Sequence, residues 1–420
     1  MKLDEKSAPT RSGLRAVVAV LLPALFALPA AAVMDEGTRV DDAAVPSEPA
    51  PPPLPSQSSL PEQRDTHRPL AASALVLPRE GVLVFGQLYT GFESDWVEGV
   101  AAPRFTLARA DLGFGYGFSE HTGVLLRFET IRSAGPESLY GIDGNSLLAR
   151  VRHGFGYARG AFGPVEVEAR LGMVPDVFLD TVLSTFDLRV TGPLAAEQSG
   201  LFDTSDLGAS VALSAWQGVI DVRLALTNGE GRAMTEQNGG KNTTVAASLR
   251  TPRFFLLGEP GQVGVHLVGR EGSRGLASVA SHRVGGALSF AHPAFHLGGS
   301  YVYGFGVEHR SDRQAHVLEL WADSVLWPRA LGAFARYRRF GTDGFLEDTA
   351  VHHWQGGLYV TLFADAQRNV PDRLRLYAGS NLTHHEELAG PLPGSAAAAD
   401  TVGALVLIEA TGFFLAALSQ

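Results

Sequence analysis

The stretch that decides the fold runs from Thr106 to Gly117 and reads TLARADLGFGYG. Every second side chain is apolar, and the side chains between them are charged or absent. The apolar set is Ala108, Ala110, Leu112, Phe114 and Tyr116, and the other set is Arg109, Asp111, Gly113 and Gly115. Successive side chains of a β-strand point to opposite faces, so this pattern predicts a strand with one apolar and one polar face.

The same alternation recurs along the chain, in segments of about ten residues separated by Gly, Pro, Asp and Asn clusters. It is clear in Gly123–Ile131, Val165–Leu171, Ile220–Thr227 and Arg373–Ala378. After residue 80 no segment keeps a helical period. The roughly 335 residues from Gly81 to Leu415 divide into about 16 strands, each with about 21 residues for itself and its connection.

The strands are expected to begin near Val82, Arg104, Thr122, Ser146, Val165, Leu207, Val219, Thr243, Gln262, Ser281, Ala294, Gln314, Ala330, Val351, Arg373 and Thr401. An even count would keep both termini on the periplasmic side. The final stretch, Thr401–Leu418, fits either one long strand or a hairpin that folds at Ala410–Gly412.

Alternation alone leaves two fold classes open, because the polar face is solvated in a soluble sandwich and lines the lumen in a membrane barrel. The uninterrupted run of strands and an export signal without cysteine favour the barrel. So do aromatic residues near strand ends, namely Phe155/Tyr157, Tyr301/Tyr303/Phe305 and Phe413/Phe414. The sequence therefore predicts an all-β, antiparallel transmembrane β-barrel over residues 81–420, located in the bacterial outer membrane.

Two segments precede the barrel. Residues 1–32 have the pattern of a signal peptide: basic residues up to Arg15, an apolar stretch Ala16–Leu28, and Ala30–Ala32 for cleavage. The alternative is an uncleaved membrane anchor, which Pro23 and Pro29 disfavour. Residues 33–80 are rich in proline and polar residues, so they are expected to form a disordered periplasmic segment, either a spacer or a partner-binding tail.

Composition excludes several classes of function. The 420 residues carry a net charge of −10, which argues against nonspecific nucleic-acid binding. Without residues 1–32, 30 cations and 42 acids remain, a net charge of −12, and Lys241 is the single lysine among those cations. The chain has no cysteine, which excludes disulfides, thiolate metal sites and cysteine nucleophiles.

Short motifs suggest no cofactor or metal. The glycines of Gly113–Gly117 are followed by no helix, so a nucleotide-binding turn is disfavoured, and glycines facing a bulky neighbour explain them better. The run His384-His385-Glu386-Glu387 has metal-ligand residue types without a supporting second cluster and fits a solvated loop. Asn228-Gly229-Glu230-Gly231 fits a turn better than a calcium-binding loop.

Three segments resemble the phosphate-selective porin O and P family of outer-membrane channels: Phe105–Phe114, Val167–Pro175 and Leu224–Gly231. The resemblance implies a sixteen-stranded barrel that forms a homotrimer and passes small anionic solutes. The chain departs from the family in its single mature lysine, which puts phosphate selectivity in doubt, and in its non-aromatic C-terminus.

The alternation assigns thirteen arginines and six acids to the pore lining. They are Arg109, Arg127, Arg150, Arg152, Arg170, Arg223, Arg250, Arg270, Arg283, Arg336, Arg338, Arg373 and Arg375, with Asp111, Glu129, Glu166, Glu168, Asp221 and Glu319. The expected lumen charge is about +7, which would concentrate anions. The alternative is that these arginines pair with acids across strands and cancel the field.

The sequence therefore predicts an outer-membrane porin that passes small hydrophilic, anionic solutes through an arginine-lined lumen. The alternatives are a barrel that transports nothing and acts structurally, and a hydrolase embedded in the barrel, although no G-x-S-x-G or H-E-x-x-H motif occurs. The longest interval without alternation is Met173–Asp206. It either folds into the lumen and narrows the channel or forms an ordinary extracellular loop.

Overall fold

The computed structural model describes residues 77–78, 80–97, 100–132, 147–231, 239–274, 279–307, 313–327, 330–341, 349–365, 372–386 and 400–416. The expected signal peptide 1–32 lies outside these residues, and so does the expected segment 33–80, apart from Leu77, Pro78 and Glu80. Among the residues described, no helix is both long and apolar enough to cross a bilayer.

Sixteen antiparallel strands form one closed barrel, as the alternation predicted. Each strand pairs with its neighbours in sequence, and the first strand also pairs with the last, with Gly86 opposite Gly412. Closure satisfies the backbone hydrogen bonds of every strand and leaves no open edge, which a sheet in lipid requires. The strands are β1 Gly81–Val97, β2 Val100–Gly117, β3 Thr122–Arg132, β4 Leu147–Phe162, β5 Val165–Pro175, β6 Ser205–Ala215, β7 Ile220–Thr227, β8 Asn242–Arg250, β9 Glu259–Glu271, β10 His282–His292, β11 Phe295–Phe305, β12 Gln314–Trp327, β13 Leu331–Gly341, β14 Ala350–Asp365, β15 Asp372–His385 and β16 Thr401–Ala416.

The final stretch is one strand, β16, so the hairpin considered at Ala410–Gly412 does not form. Three short strands lie in connections: Phe254–Leu256 pairs with the start of β9, and Ser273–Arg274 pairs with Val279–Ala280.

The connections differ in length between the two ends of the barrel. One end, called the turn end below, carries short connections such as 118–121, 163–164, 216–219 and 293–294. The other, the loop end, carries longer ones such as 133–146, 176–204 and 386–400. Short turns of outer-membrane barrels face the periplasm, which assigns the turn end and both ends of the barrel chain to that side.

The two faces of each strand meet the environments that the alternation predicted. On β7 the outward Leu224 and Leu226 are 46% and 54% exposed, whereas Asp221 is buried in the interior. On β2 the outward Leu112 and Phe114 are exposed and the inward Asp111 is buried. A closed barrel with an apolar outer surface suits a lipid bilayer, which agrees with the predicted outer-membrane location.

Exposed aromatic side chains ring the turn end: Phe118, Phe162, Trp216, Phe255, Trp327 and Phe363. Such girdles mark the interface between lipid and water. Two of the expected girdle residues lie elsewhere, because Phe155 and Tyr157 point inward and are buried. The side chains of Phe413 and Phe414 are outside the part of the chain that the structure describes.

Residues 77–78, just before β1, pack against the barrel. Leu77 belongs to a buried apolar cluster at the turn end, which also contains Leu83, Phe85, Leu125, Phe155, Tyr157 and Val174. The Pro78 carbonyl accepts hydrogen bonds from the Tyr157 hydroxyl and, at 3.1 Å, from Arg159 Nη2. Residues 77–78 therefore belong to the barrel because they fill its interior, although they lie within the expected disordered segment.

The long interval between β5 and β6 folds into the barrel. This inward segment, residues 176–204, contains helix α1 (Val177–Leu183), a 3-10 turn (Arg189–Thr191) and helix α2 (Ala195–Gln198). Asp176 caps α1 by accepting hydrogen bonds from the amides of Phe178 and Leu179 at 3.0 and 2.9 Å. Of the two interpretations of Met173–Asp206, the structure agrees with the one that narrows the lumen.

Candidate functional site

The inward segment crosses the barrel interior from wall to wall. Helix α1 contacts β7, β8 and β9, the 3-10 turn contacts β16, and α2 contacts β12 and β13. Its apolar side chains are fully buried, including Phe178, Phe186, Leu188 and Phe202, and they pack on inward residues of the wall such as Trp321. The segment therefore constricts the interior, and its polar contacts with the wall define the candidate site.

Four acids of the inward segment, Asp176, Asp180, Asp187 and Glu197, pair with arginine side chains. Four of these arginines come from separate strands of the wall. Asp180 lies 2.8 Å from Arg223 Nη1 and 3.4 Å from Arg170 Nη1. Arg270 binds Asp176, and Arg109 Nη2 lies 3.1 Å from Glu197 Oε1. Wall arginines therefore hold the segment in place around much of the circumference.

Asp187 occupies the middle of the inward segment and binds two arginines of β15. Arg373 Nη1 donates to both carboxylate oxygens, at 2.7 and 2.8 Å, and Arg375 Nη1 lies 3.1 Å away. Arg373 also pairs with Glu409 of β16. These contacts tie the centre of the segment to the wall opposite α1.

The peptide backbone of the inward segment is also bound by the wall. Arg336 of β13 donates to the hydroxyl of Thr191 at 3.0 Å and to the carbonyl of Gly192 at 3.2 Å. Glu319 of β12 accepts from the amide of Ala195 at 2.8 Å and pairs with Arg336. The segment is thus attached by carboxylates, guanidinium groups and main-chain groups together.

The structure places the thirteen predicted arginines on inward positions of the barrel, and ten of them form ion pairs with carboxylates. These ten are Arg109, Arg127, Arg150, Arg152, Arg170, Arg223, Arg270, Arg336, Arg373 and Arg375. Arg250 and Arg283 donate to carbonyls, and Arg338 donates to Gln198, His353 and Gln355. The pairing considered as the alternative therefore occurs, and it reaches the inward segment as well as neighbouring strands.

The predicted acids also face inward. Asp111, Glu129, Asp221 and Glu319 are buried, and Glu168 pairs with Arg170 at 2.7 Å. Glu166 lies near the turn end and is exposed. Further interior acids of the described residues were missed by sequence reasoning, and the expected lumen charge of about +7 is too high because it omits them. They include Asp176, Asp180, Asp187, Glu197, Asp323 and Glu409.

One of these missed acids, Glu409, could have been assigned to the interior from the sequence. Glu409 is the single charge in the apolar run Ala404–Ala410, at an inward register of β16. Asp176, Asp180, Asp187 and Glu197 of the inward segment follow no strand alternation, so no periodic signal assigns them to the interior.

A small cavity lies between the inward segment and the wall formed by β1 to β4. It has a volume of about 20 Å³, which suffices for a water molecule or a small ion. Its lining includes Gln87, Arg109, Arg127, Arg152, His153, Asp180, Arg189 and Thr204. We call it the arginine cavity.

Charges around the arginine cavity are unequal. Asp111 pairs with Arg127 at 2.5 Å and Arg152 at 3.2 Å, and Glu197 pairs with Arg109 and Arg189. Glu129 lies 4.0 Å from Arg152 Nε and also pairs with Arg150 at 2.7 Å. Three carboxylates thus serve five guanidinium groups.

Several donors at the cavity lack a hydrogen-bond acceptor. Arg127 Nε and Arg189 Nη2 are buried and have no acceptor among the described residues, and the hydroxyl of Thr204 has no hydrogen-bond partner there. A β-bulge between β3 and β4 turns the adjacent Arg152 and His153 both toward the interior, which strand alternation does not predict. Unsatisfied buried donors with excess positive charge are the chemistry of an anion site.

Burial raises the pKa of Asp176, Asp180 and Asp187 in the inward segment and neighbouring arginines lower it, and the larger effect differs from acid to acid. Burial alone raises the pKa of Asp180, but Arg170 and Arg223 outweigh it and hold that pKa below its ordinary value. The pKa of Asp187 is held well below its usual range by Arg373 and Arg375. At Asp176 burial dominates, and the pKa is raised despite Arg270.

Two other motifs were expected to form a loop and a turn. His384 pairs with Asp400 at 2.9 Å, Glu386 contacts His352 at 2.9 Å, and Glu387 lies outside the described residues. Asn228–Gly231 forms a turn in which Gly229 and Gly231 have positive φ angles of 95° and 79°. The expected turn therefore forms at Asn228–Gly231, whereas His384 and His385 are the last residues of β15 and do not lie in a loop.

No protein-family model matches the chain, and no curated protein sequence matches it. Solved structures are similar in fold. An anion-selective porin from Comamonas acidovorans superposes with a TM-score of 0.53 and 12% identity, covering 79% of this chain and 99% of that chain.

Two more solved structures give the same result. Outer-membrane expressed OmpT of Vibrio cholerae has a TM-score of 0.52 and 12% identity, covering 81% of this chain and 100% of its own. Salmonella typhi OmpF, in a complex with daunomycin, has a TM-score of 0.51 and 13% identity. The match covers 79% of this chain and 97% of the OmpF chain. The chain therefore has the fold of bacterial outer-membrane porins.

Proposed function

We propose that the protein is an outer-membrane diffusion channel for small hydrophilic, anionic solutes, which pass the inward segment beside the arginine cavity. The observation that carries this proposal is the excess of positive charge around the cavity, where five guanidinium groups share three carboxylates and donors of Arg127 and Arg189 are unsatisfied. Fixed positive charge in a narrow, low-dielectric passage concentrates anions and repels cations.

Arginine suits this role because its guanidinium group stays charged and can donate two parallel hydrogen bonds to a carboxylate or an oxyanion. Arg189 belongs to the inward segment, whereas Arg109, Arg127 and Arg152 belong to the wall. A solute at the cavity would therefore contact both sides of the constriction.

The proposal is tested by single-channel recording in planar bilayers with purified, folded protein. Arg189→Gln removes one cavity charge and should lower the permeability ratio of chloride to potassium. Arg104→Gln is the matched control, because it removes one arginine whose side chain is 52% exposed and remote from the cavity. Equal permeability ratios in wild type and both variants would contradict the role given to the cavity.

Phosphate selectivity is the finer property that the resemblance to the phosphate-selective porin O and P family implies, and the single mature lysine argues against it. We expect millimolar phosphate to reduce chloride current if the arginine cavity holds a tetrahedral oxyanion. Sulfate and acetate are the comparison anions, since they separate an effect of geometry from one of charge. A current that falls equally with each of these anions would support a general anion channel without phosphate selectivity.

Assembly as a homotrimer in outer-membrane lipid is a further part of the proposal, and it also rests on the resemblance. Light scattering of the protein in detergent gives the mass of the complex after subtraction of the micelle. A mass of three chains supports the trimer, and a mass of one chain contradicts it.

A barrel that transports nothing is the second candidate. The observation that favours it is the apolar packing of the inward segment against the wall, where Phe186 and Trp321 meet edge to face at 5.4 Å between ring centroids. A segment packed this firmly could fill the lumen. The bilayer recordings separate the candidates, because folded protein that shows no conductance steps would favour the structural barrel.

A further inference from the structure

Three ligand-type side chains from three elements meet near the turn end of the interior. They are Asp187 of the inward segment, His296 of β11 and Asp323 of β12, and one ligand atom of each lies within 4.8 Å of the others. We call this group the Asp–His–Asp cluster. His296 and Asp323 are directly opposite in the strand pairing, with Nδ1 and Oδ2 3.8 Å apart.

The Asp–His–Asp cluster is buried and incompletely satisfied. Asp187 and Asp323 are each 5% exposed. Asp323 Oδ1 is buried and has no hydrogen bond of normal geometry among the described residues, although the Tyr359 hydroxyl interacts with this carboxylate. Two neighbouring carboxylates in a low-dielectric interior repel each other, and an unsatisfied carboxylate oxygen adds a desolvation cost. A cation bound between the two carboxylates would offset both the repulsion and the desolvation cost.

We propose that Asp187, His296 and Asp323 bind a divalent transition-metal cation of the Zn²⁺ class, which bridges the inward segment to the barrel wall. One imidazole nitrogen and two carboxylates form a ligand set that Zn²⁺ accepts in tetrahedral geometry, with water in the fourth position. Calcium and magnesium favour sites made of oxygen ligands alone, so the imidazole selects against them.

Neighbouring arginines lower the affinity of the Asp–His–Asp cluster for a cation, but they leave it net negative. Asp187 binds Arg373 and Arg375, and Arg373 also pairs with Glu409. With neutral His296, the three carboxylates exceed the two guanidinium groups by one negative charge. A carboxylate keeps lone pairs beyond those used by its arginine partners, so Asp187 can ligate a cation while it accepts these hydrogen bonds.

Bound metal would attach the centre of the inward segment to a different part of the wall from its arginine contacts. Asp187 alone comes from the segment, and its two partners lie on adjacent strands. The cation would therefore restrict the segment between α1 and the 3-10 turn. This inference concerns metal binding by the folded barrel, so its test does not depend on whether the protein conducts anions.

The test is titration of untagged, chelator-treated, full-length protein with ZnCl₂, followed by calorimetry and by metal analysis after gel filtration. Wild type should retain about one Zn²⁺ per chain. His296→Ala and Asp323→Asn should each bind at least about tenfold more weakly, since even indirect partners of a metal can change affinity by this factor. His384→Ala is the matched control, because it removes a histidine whose side chain is 52% exposed and should leave binding unchanged.

One variant should strengthen Zn²⁺ binding, in contrast to the cluster variants that weaken it. Arg375→Gln removes a guanidinium group beside Asp187 and should tighten Zn²⁺ binding. Should the cluster variants fail to fold, the visible spectrum of wild type with Co²⁺ is the second measurement, with intense bands expected for a four- or five-coordinate site. The inference is overturned by wild type that binds no Zn²⁺, by folded cluster variants that bind like wild type, or by a weak octahedral Co²⁺ spectrum.

Discussion

Arg109 and Glu197 lie 88 residues apart in the chain, yet Arg109 Nη2 donates to Glu197 Oε1 at 3.1 Å. Arg109 belongs to β2, and Glu197 belongs to the last helix of the inward segment. The second oxygen of Glu197 pairs with Arg189 of the segment at 2.5 Å. This carboxylate therefore joins the wall to the segment and neutralises part of the charge at the arginine cavity.

Replacing that carboxylate should make the cavity more positive. In Glu197→Gln, Arg109 and Arg189 lose their common ion-pair partner, and one unit of positive charge is added where the solute passes. One unit charge at about 8 Å in an effective dielectric of about 20 is worth about 2 kcal/mol before salt screening. We expect the chloride-to-potassium permeability ratio to rise severalfold at low salt. Glu93→Gln, at a loop-end ion pair with Arg104, is the control and should leave the ratio unchanged.

The contact of Asp180 with Arg170 and Arg223 should survive mild acid. Because the pKa of Asp180 is lowered in the folded protein, its contribution is complete above the ordinary carboxyl pKa of about 3.9 and is lost only as the pH falls through the lower folded value. Amide hydrogen exchange of Val177–Leu183, corrected for its intrinsic pH dependence, should therefore be unchanged between pH 7 and about pH 4.5.

Asp180→Asn supplies the comparison for that experiment. It removes the charge at every pH and leaves two guanidinium groups without this partner, at a cost of about 1–3 kcal/mol. Helix α1 should then exchange faster at pH 7 than it does in wild type. Protection in wild type that is already lost at pH 5, or equal exchange in the two proteins at pH 7, would show that Asp180 does not hold the segment.

The outward face of β7 is expected to tolerate no charge. Leu224→Arg places a guanidinium group in the hydrocarbon layer and should lower the free energy of unfolding in lipid vesicles by about 2–4 kcal/mol near the midplane. Leu224→Met keeps size and apolarity and should cost less than about 1.5 kcal/mol. Urea titrations of both variants measure these differences, and equal losses would place Leu224 away from the hydrocarbon.

Two glycines on different strands should respond differently to the same substitution. A Cβ at Gly113 of β2 would overlap the ring of Phe85, whereas a Cβ at Gly160 of β4 meets no atom within 4 Å. Gly113→Ala should therefore destabilise the barrel by about 1–3 kcal/mol through overpacking, and Gly160→Ala should be tolerated. Heat-induced loss of the folded band in gel electrophoresis compares the two, and equal thermal stability would contradict the packing described for Phe85.

Most of the fold could be predicted from the sequence because one face of each strand meets lipid and the other the interior. All sixteen predicted strand starts lie within four residues of the observed ones, and the largest difference is Arg104 against Val100. The alternation of apolar and polar residues is less clear in strands such as β4, where both faces carry small or aromatic residues. That explains why Phe155 and Tyr157 were wrongly assigned to the outer girdle, although they fill the turn end of the interior.

The candidate site could be predicted only in part. Strand alternation places Arg109 and Arg127 in the interior, but it says nothing of their partners. Those partners include Glu197 of the inward segment, whose position depends on how residues 176–204 pack across the lumen. The bulge that turns both Arg152 and His153 inward also breaks the period-two rule. Charge balance at the constriction is therefore a tertiary property, and counting charges on strands overestimates it.

The most direct test of the central claim is the zero-current potential of wild-type protein in a planar bilayer across a tenfold gradient of potassium chloride. The excess of guanidinium groups at the arginine cavity predicts a potential with the sign of anion preference. That preference should decrease in Arg189→Gln and persist in Arg104→Gln. A potential with the sign of cation preference would contradict the account, as would an anion preference that Arg189→Gln leaves unchanged.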